Sequence, residues 1–456
     1  MTRRKQIKWA IIGLVAVALT GWITSSWGRW FGNEPELPYT VPTVPDRITL
    51  CYGPDAQHDR CLTWRCDTIQ HAYAVELRTP TDSMMLPASS VRVESRAGFQ
   101  YFYRCELYGL MENATYRYRL CSETDTTAWH AFVMAERTDS IRFMVLGDIQ
   151  DSVGGDSPDL LRMASERLGT MDFYAFVGDM IERPTDRYWQ MFYSSIDPFC
   201  DSIPLMVCTG NHDYLKGIYK TIDPRWRHTF GTPLNGPDRF MGRSYYVDFT
   251  DMRFIVIDTD ALQLPWEYAA ARSWVSNVLQ QSTKHWNVVL MHHPLHSASI
   301  GRDNPTMRWA FRSLFEGEHG PDLVLAGHDH SYMRWAAETA PLYMVLTTAT
   351  KDYLSKSDPG AAKVACGHRL YQQVVVTPQA IALSSYLAET GELYDSVRIE
   401  KQTGTPAVIR DLGQHIAERI DLPHRFSGKD GSRVKKFRKL RSRRASEPGR
   451  NVVFED

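Results

Sequence analysis

Pro204-Leu-Met-Val-Cys-Thr-Gly-Asn-His-Asp213 is the stretch of sequence that decides the fold. An apolar run of strand length leads into a glycine and then into three side chains of metal-binding type. Four further apolar runs also end in side chains of metal-binding type, at 141–148, 172–179, 286–293 and 322–330. Short apolar runs bounded by turn residues predict buried strands. Glycine precedes four of the five ligand groups, which lets the chain turn sharply and approach closely.

The segments between these runs predict helices, at 159–168, 266–279 and 307–315. Strands that alternate with helices indicate an α/β fold whose sheet is covered on both faces. Two later strands, 369–376 and 380–386, are expected to extend the sheet. Ligands of open α/β sheets bind beyond the carboxyl ends of the strands. One such strand end is usually a simple turn, but five in this order predict a site at one edge of the sheet.

Residues 47–135 have a different pattern, with short alternating strands such as Cys61-Leu-Thr-Trp-Arg-Cys66 and Thr115-Tyr-Arg-Tyr-Arg-Leu120. Regularly spaced short strands predict a small all-β sandwich. Leu110 followed by Tyr116 resembles the tyrosine corner of fibronectin-type domains.

The charge of the 456-residue chain is unevenly distributed. Four bases precede residue 9 and eight lie between Arg433 and Arg444, and the remaining 40 Lys and Arg stand against 53 Asp and Glu. An acidic body argues against nucleic acid as a dedicated partner, because nucleic-acid binders need cations that face phosphates. The length predicts two or three domains.

The N-terminus has the form of an export segment. Arg3, Arg4, Lys5 and Lys8 precede an apolar run that reaches roughly 20 residues if it extends to Phe31. This predicts either a membrane anchor with the rest of the chain outside the cytoplasm, or a cleaved signal peptide and a secreted or periplasmic protein, and a buried helix is the third alternative. Eight cysteines without a CxxC pair fit an oxidising compartment and disfavour a zinc ribbon.

The predicted organisation has six segments. They are a signal or anchor segment at 1–31, a Pro-rich linker at 32–46, a fibronectin-like sandwich at 47–135, a catalytic domain at 140–401, a C-terminal extension at 402–425 and a basic disordered tail at 426–456.

The order Gly-Asp, Gly-Asp, Gly-Asn-His-Asp, His-His-Pro, Gly-His-Asp-His resembles the calcineurin-like metallophosphoesterase superfamily. The fibronectin-like module and Gly327-His-Asp-His-Ser-Tyr-Met-Arg334 are similar to its purple acid phosphatase branch. The resemblance implies a four-layer β-sandwich flanked by helices. It also implies hydrolysis of a small phosphate-ester substrate, with a metal-bound hydroxide as the nucleophile.

The resemblance further implies a site with two divalent or mixed-valence ions of Mn, Fe or Zn. Asp179 would bridge the ions, Asn211, His292 and His328 would complete one site, and Asp148 and His330 would belong to the other. Gln150 is a further candidate ligand of that second site, because its side chain can offer an amide oxygen. His212 would act on the substrate phosphate or the leaving group, with Asp213 orienting it. His293, Tyr214 and Arg334 are further candidate substrate contacts.

Two positions depart from the family pattern. Gln150 stands where many relatives have histidine, and Glu182 stands where the purple branch has the tyrosine that colours ferric iron. A purple Fe(III) enzyme is therefore not expected. We expect a phosphomonoesterase. A phosphodiesterase or pyrophosphatase on the same site, and an envelope scaffold with a degenerate site, are the alternatives.

Overall fold

The computed structural model describes residues 3–135, 140–348, 350–402, 405, 407–423 and 431–454. Its helices are α1 (Arg3–Phe31), α2 (Ser157–Leu168), α3 (Asp186–Ile196), α4 (Trp226–Thr229), α5 (Pro265–Gln280), α6 (Pro305–Phe315) and α7 (Gly431–Ala445). The first eight strands are β1 (Asp46–Tyr52), β2 (Arg60–Cys66), β3 (Ala74–Arg78), β4 (Ser83–Pro87), β5 (Ser89–Ser95), β6 (Gly98–Leu107), β7 (Ala114–Cys121) and β8 (His130–Met134). They are followed by β9 (Ile141–Leu146), β10 (Phe173–Phe176), β11 (Leu205–Val207), β12 (Tyr214–Leu215), β13 (Thr221–Ile222), β14 (Tyr245–Asp248), β15 (Met252–Ile257), β16 (Trp286–Met291), β17 (Leu323–Ala326), β18 (Tyr332–Trp335), β19 (Leu342–Val345), β20 (Ala361–Ala365), β21 (Leu370–Val376), β22 (Ala380–Leu387), β23 (Leu393–Glu400), β24 (Val408–Asp411), β25 (Glu418–Arg419) and β26 (Val452–Val453).

Two large sheets pack face to face and carry helices on their outer sides. The first has 11 strands in the order β24-β23-β22-β21-β9-β10-β11-β1-β2-β6-β5, and the second has seven in the order β14-β15-β16-β17-β19-β18-β20. Helices α2 and α3 cover the outer face of the first sheet, and α5 and α6 cover that of the second. The predicted four-layer α/β fold is confirmed, and β21 and β22 extend the first sheet as expected.

Strand β9 shows why the central runs are uniformly apolar. Phe143 and Val145 enter the core between the two sheets, whereas Met144 and Leu146 face the helices on the outer side. A strand that is covered on both faces cannot alternate between polar and apolar residues. Each fully buried large apolar side chain contributes about 1.5–3 kcal/mol, so these short strands hold the layers together.

The strands that lead to the predicted ligands are parallel neighbours. In the first sheet β9, β10 and β11 run side by side, and in the second β15, β16, β17 and β19 do so. The carboxyl ends of these strands lie at one edge of the two facing sheets, where the five ligand loops meet.

The N-terminal strands form the expected small sandwich. The sheet β4-β3-β7-β8 faces β1, β2, β6 and β5 across a core that contains Trp64 and Tyr103, whose rings stack 5.5 Å apart. The Met111 amide donates a 2.9 Å hydrogen bond to the hydroxyl of Tyr116, which confirms the tyrosine corner. This sandwich is not separate from the rest, because β1 pairs in parallel with β11 and the first sheet runs continuously through both parts.

The prediction of a disordered tail at 426–456 is wrong for the residues that the structure describes. Residues 431–445 form α7, and Phe437 is buried against the core around Met333 and Ile420. Val434, Phe437 and Leu440 follow helical spacing, which gives the helix an apolar face despite its bases. Arg444 is buried and forms a 2.6 Å ion pair with Glu418. Residues 424–430 lie outside the described residues.

Candidate metal centre

The backbone is strained at the ends of the ligand-bearing strands. Four predicted ligands have positive φ angles: 43° for Asp148, 49° for Asp179, 72° for His328 and 43° for His330. This left-handed region is unfavourable for residues other than glycine, and such strain concentrates at functional sites. The geometry turns these side chains back over the strand ends, towards one another.

The glycines that precede the ligands allow a close approach between loops. A Cβ on Gly210 would lie 2.1 Å from the Asp179 amide nitrogen. A Cβ on Gly178, whose φ is +98°, would lie 2.8 Å from Nδ1 of His292. Only glycine therefore lets the loops after β10, β11 and β16 pack together at the site.

One cluster of ligand atoms is formed by Asp179, His292 and His328, whose ligand atoms lie within 4.8 Å of one another. Nε2 of His292 is 3.3 Å from Oδ2 of Asp179, 3.3 Å from Oδ1 of Asn211 and 3.2 Å from Nδ1 of His328. Nδ1 of His292 donates to the Val177 carbonyl at 2.9 Å. That bond directs Nε2 into the cluster, as a metal-binding histidine requires.

The second cluster is formed by Asp148, Asp179 and His330, again within 4.8 Å. Asp179 belongs to both clusters, which is the position of a bridging ligand. The Asp148 carboxylate accepts the His328 amide N–H at 2.8 and 3.0 Å. Nε2 of Gln150 lies 3.3 Å from Asp179 and 3.4 Å from Nε2 of His330.

The electrostatics of the clusters favour a cation. Burial and nearby positive groups hold the pKa values of His328 and His330 well below their usual range, so both rings are neutral. Burial raises and His292 lowers the pKa of Asp179, with a net shift well below its usual value. Burial raises the pKa of Asp148 to about 7. A metal ion would hold both carboxylates in the charged form.

The donor set fits two metal ions of borderline or hard character. Carboxylate, amide and imidazole groups suit Mn, Fe or Zn. Among the described residues, the buried atoms Oε1 of Gln150 and Nδ1 of His330 have no hydrogen-bond partner. Exchanging the amide nitrogen and oxygen of Gln150 would direct an acceptor into the second cluster. In that orientation the Gln150 oxygen would face an ion held by the second cluster, which would satisfy it.

His212 borders the clusters and is held by the backbone. Its amide donates to Oδ1 of Asp179 at 2.8 Å, and its Nδ1 donates to the Glu182 carbonyl at 2.7 Å. Nε2 therefore remains as the nitrogen that can act on a substrate. The Glu182 carboxylate lies 3.8 Å from Nδ1 of His212, beside the clusters rather than within them.

The expectation that Asp213 orients the His212 ring is wrong. Oδ2 of Asp213 accepts the amide N–H of Gly210 at 2.7 Å, and its own amide donates to the Gly210 carbonyl at 3.1 Å. The buried carboxylate closes the turn that carries Asn211 and His212. Asp213 thus positions the loop that carries His212, and its effect on the His212 ring is indirect.

Two of the candidate substrate contacts lie beside the site. Nδ1 of His293 is 3.0 Å from Oγ1 of Thr259, and its ring centroid is 4.1 Å from that of His328. Tyr214 borders the cleft, but its hydroxyl donates to buried Asp258 at 2.5 Å. The Tyr214 hydroxyl therefore takes part in a buried hydrogen-bond network, whereas His293 stays a predicted substrate contact.

The prediction that Arg334 binds substrate is wrong. Its guanidinium is buried on β18 and pairs with Asp395 at 2.7 and 2.9 Å and with Asp411 at 2.9 Å. The arginine follows the His-x-His motif in sequence, but the strand carries it away from the ligand edge and into contact with β23 and β24. Its role is structural.

We therefore expect Arg334→Lys to lower the free energy of unfolding by about 2 kcal/mol, because lysine cannot form the paired hydrogen bonds to Asp395. KM for a phosphate ester should not change. Urea titration measures the first quantity and steady-state kinetics the second. Arg398→Lys, which alters an exposed pair with Glu400, is the matched control. A higher KM at unchanged stability would restore the substrate-binding role.

Sequence reasoning missed two cations beside the clusters. Nζ of Lys351 lies 3.4 Å from Nε2 of His212 and 3.8 Å from the Glu182 carboxylate. Arg302 donates to the His328 carbonyl at 2.8 Å and lies over the ring of Tyr353. Both come from loops without a motif, so the sequence held no signal for them beyond their charge.

Comparisons with known proteins agree with this geometry. Residues 141–332 match the family model described as calcineurin-like phosphoesterase. Acid phosphatase type 7 of Mus musculus is 23% identical over 263 residues, covering 52% of this chain and 54% of the mouse protein. Probable purple acid phosphatase 20 of Arabidopsis thaliana is 23% identical over 317 residues, covering 65% of this chain and 70% of the plant protein. The chain thus spans about half the length of the type 7 acid phosphatases of mouse and human.

Solved structures are similar in fold. Purple acid phosphatase PPD1 from yellow lupin (Lupinus luteus) superposes with a TM-score of 0.65 at 16% identity, covering 80% of this chain and 76% of that chain. The structure of PhoD superposes with a TM-score of 0.57 at 14% identity, covering 89% of this chain and 99% of that chain.

Proposed function

We propose, from the premise that residues 141–332 form a calcineurin-like phosphoesterase domain, that the chain is a metal-dependent phosphoric ester hydrolase. The observation that carries the proposal is the sharing of Asp179 between two clusters of ligand atoms. A shared carboxylate at the ends of parallel strands suits two ions held side by side. The acid phosphatases among the relatives support the same activity.

In this proposal Asn211, His292 and His328 hold one ion, Asp148, His330 and Gln150 hold the other, and Asp179 contacts both. Bound ions would supply Lewis-acid activation of water and neutralise charge on the phosphate. The protein's own side chains would bind the phosphate and assist the departure of the leaving group. His212 contacts the phosphate or the leaving oxygen through Nε2, and Lys351 places a positive charge 3.4 Å from that nitrogen.

His212 is suited to donate a proton to the leaving oxygen. The Glu182 carbonyl accepts from Nδ1 and fixes the ring plane, so Nε2 is the nitrogen left to contact the leaving oxygen. A positioned histidine contributes about 10²–10⁴-fold through such proton transfer. A phosphomonoester is the favoured substrate, and phosphodiesters or pyrophosphates are alternatives that the assay distinguishes.

The test is a comparison of esters with metal-stripped and reloaded protein. The protein is depleted of metal, reloaded with Mn, Fe or Zn, and assayed on an aryl phosphate and a bis-aryl phosphate, with metal content measured in the same samples. Turnover that returns with about two equivalents of metal supports the proposal. Turnover of neither ester, together with substoichiometric metal uptake, would contradict it.

Metal uptake should release protons. Burial lowers the pKa of His292, but the carboxylates of Asp179 and Asp148 raise it, to about 10 overall. At neutral pH the metal-free ring therefore carries a proton that the metal ion must displace. We expect the release of about one to two protons, and metal affinity that rises with pH up to about pH 10. Calorimetry in buffers of different ionisation enthalpy measures the release. Affinity that is independent of pH would show that His292 is not a ligand.

The location proposed for the enzyme is outside the cytoplasm, attached to the membrane by α1. Among the described residues, one helical stretch, Ile11–Phe31, is long and apolar enough to cross a bilayer, and its side chains are largely exposed. The bases before it favour a cytoplasmic N-terminus. Membrane fractionation followed by mass spectrometry of the mature chain separates an anchor from a cleaved signal peptide.

A further inference from the structure

The segment that follows α1 is docked on the catalytic part. Asn33 exchanges two hydrogen bonds with the backbone of Lys216, at 2.9 and 2.8 Å. Glu36 pairs with Arg225 at 2.5 Å, with both side chains almost fully buried, and accepts the Asp186 amide N–H at 2.7 Å. Residues 33–45 contain no helix or strand, as expected for a linker. These bonds nevertheless fix where α1 ends relative to the metal centre.

The end of α1 and the catalytic histidine border the same cleft. A cleft of about 600 Å³ is lined on one side by Gly28, Arg29 and Gly32, and on the other by Asn211 and His212. The last turn of the apolar helix thus forms part of the entrance to the site.

The level of the membrane surface follows from the length of the helix. Ile11–Phe31 has 21 residues, about 32 Å at 1.5 Å per residue, which matches the hydrocarbon thickness of a bilayer. Trp27 and Trp30 lie near its end and are exposed. Tryptophan is enriched at the boundary between lipid and water. If α1 spans a bilayer as proposed, the cleft entrance would lie at the level of the lipid headgroups.

A hairpin beside the linker has the features of a membrane-contacting loop. Strands β12 and β13 are joined by residues 216–220, whose tip exposes 78% of Ile218 and 44% of Tyr219. Lys216 and Lys220 flank the tip. The Tyr219 hydroxyl is bonded to buried Glu267, which leaves Ile218 as the apolar side chain at the tip. An exposed isoleucine between lysines suits insertion into an anionic interface. Because Lys216 is bonded to Asn33, this hairpin lies next to the end of α1.

We propose that the substrate class is a phosphate monoester whose leaving group is a membrane lipid. This rests on the proposed function and deepens it. Four cations line the cleft against two carboxylates, and one of the carboxylates, Glu34, pairs with Arg183. The cations are Arg29, Arg96, Arg183 and Lys216, so the lining keeps a net positive charge for an anionic headgroup. The phosphate reaches His212 while the chains stay in the bilayer. Water adds its oxygen to phosphorus, the bond from phosphorus to the lipid oxygen breaks, and that oxygen takes a proton, which gives the lipid alcohol and inorganic phosphate.

The test uses the full chain, loaded with metal, in phosphatidylcholine vesicles. Four assays are compared, with phosphatidic acid in the same vesicles, phosphatidic acid in separate vesicles, glycerol 3-phosphate and an aryl phosphate as substrates. We expect phosphatidic acid in the same vesicles as the protein to be cleaved at least about tenfold more efficiently than glycerol 3-phosphate. Phosphatidic acid in separate vesicles should hardly be cleaved. Cleavage of the aryl phosphate without that of phosphatidic acid would overturn the lipid proposal alone. Inactivity on all four would instead overturn the proposed function.

A pair of variants tests the membrane contact. Ile218→Asp should lower the ratio of lipid to aryl phosphate turnover about fivefold, because a charge at the tip opposes insertion. Ile69→Asp, at an exposed isoleucine of the small sandwich, is the matched control and should leave the ratio unchanged. The aryl phosphate rate in each sample reports folding. An unchanged ratio in Ile218→Asp, or an equal fall in both variants, would contradict the proposed orientation.

Discussion

Asp179→Asn is expected to abolish metal-dependent turnover, with a loss of at least about 10³-fold in kcat. The reason is that this carboxylate takes part in both clusters, so that the substitution weakens both ion sites at once. The loss of several kcal/mol of charge stabilisation corresponds to this factor. Oδ1 of Asp179 accepts the His212 amide N–H at 2.8 Å. An NH₂ group at that position would be a second donor facing the first, so the bond would be lost. Metal content should fall below one equivalent.

The control is Asp159→Asn on α2, whose side chain is exposed and pairs only at the surface with Arg162. It carries the same chemical change outside the site and should keep activity and metal content. Asp179→Asn that retained two equivalents of metal and lost less than about tenfold in kcat would refute the bridging role. Circular dichroism and thermal unfolding of both variants separate loss of the site from loss of the fold.

The ligands could be predicted because each lies at the end of a strand that is identifiable on its own. Asp148, Asp179, Asn211, His292 and His328 follow apolar runs, and parallel strands bring such ends to one edge. Physical reasoning from local pattern therefore sufficed for the clusters, while the assignment of each ligand to an ion stays a prediction.

Two of the three errors, those on Arg334 and on the tail, arose where long-range contacts decide, whereas Asp213 was overturned by a local bond to Gly210. Arg334 follows a ligand motif, but its partner Asp395 is 61 residues away and determines its role. The register between Cys51 and Leu205, which joins the small sandwich to the first sheet, has no local signal either. In α7, composition suggested disorder, whereas three apolar residues at helical spacing pack on the core and Arg444 pairs with Glu418. Charge counts alone cannot reveal such pairings.

His212→Ala is the second substitution with a large expected effect, and its size should depend on the leaving group. An alkyl alcohol leaves as a strong base and needs a proton, so we expect a loss of about 10²–10³-fold in kcat for an alkyl phosphate. A nitrophenolate leaves without one, so its ester should lose only about tenfold. Metal content should stay at two equivalents, because the ring is in neither cluster. His319→Ala, at an exposed histidine after α6, is the matched control.

The ratio of the two losses distinguishes the roles open to His212. If both esters lose the same factor, the ring stabilises charge on the phosphate in the transition state and does not donate the proton. The nearby Nζ of Lys351, 3.4 Å from Nε2, would then be the candidate donor. A larger loss for the alkyl ester assigns the proton to Nε2, since Nδ1 is committed to the Glu182 carbonyl. No loss for either ester would remove His212 from the reaction, leaving the metal clusters to act without it.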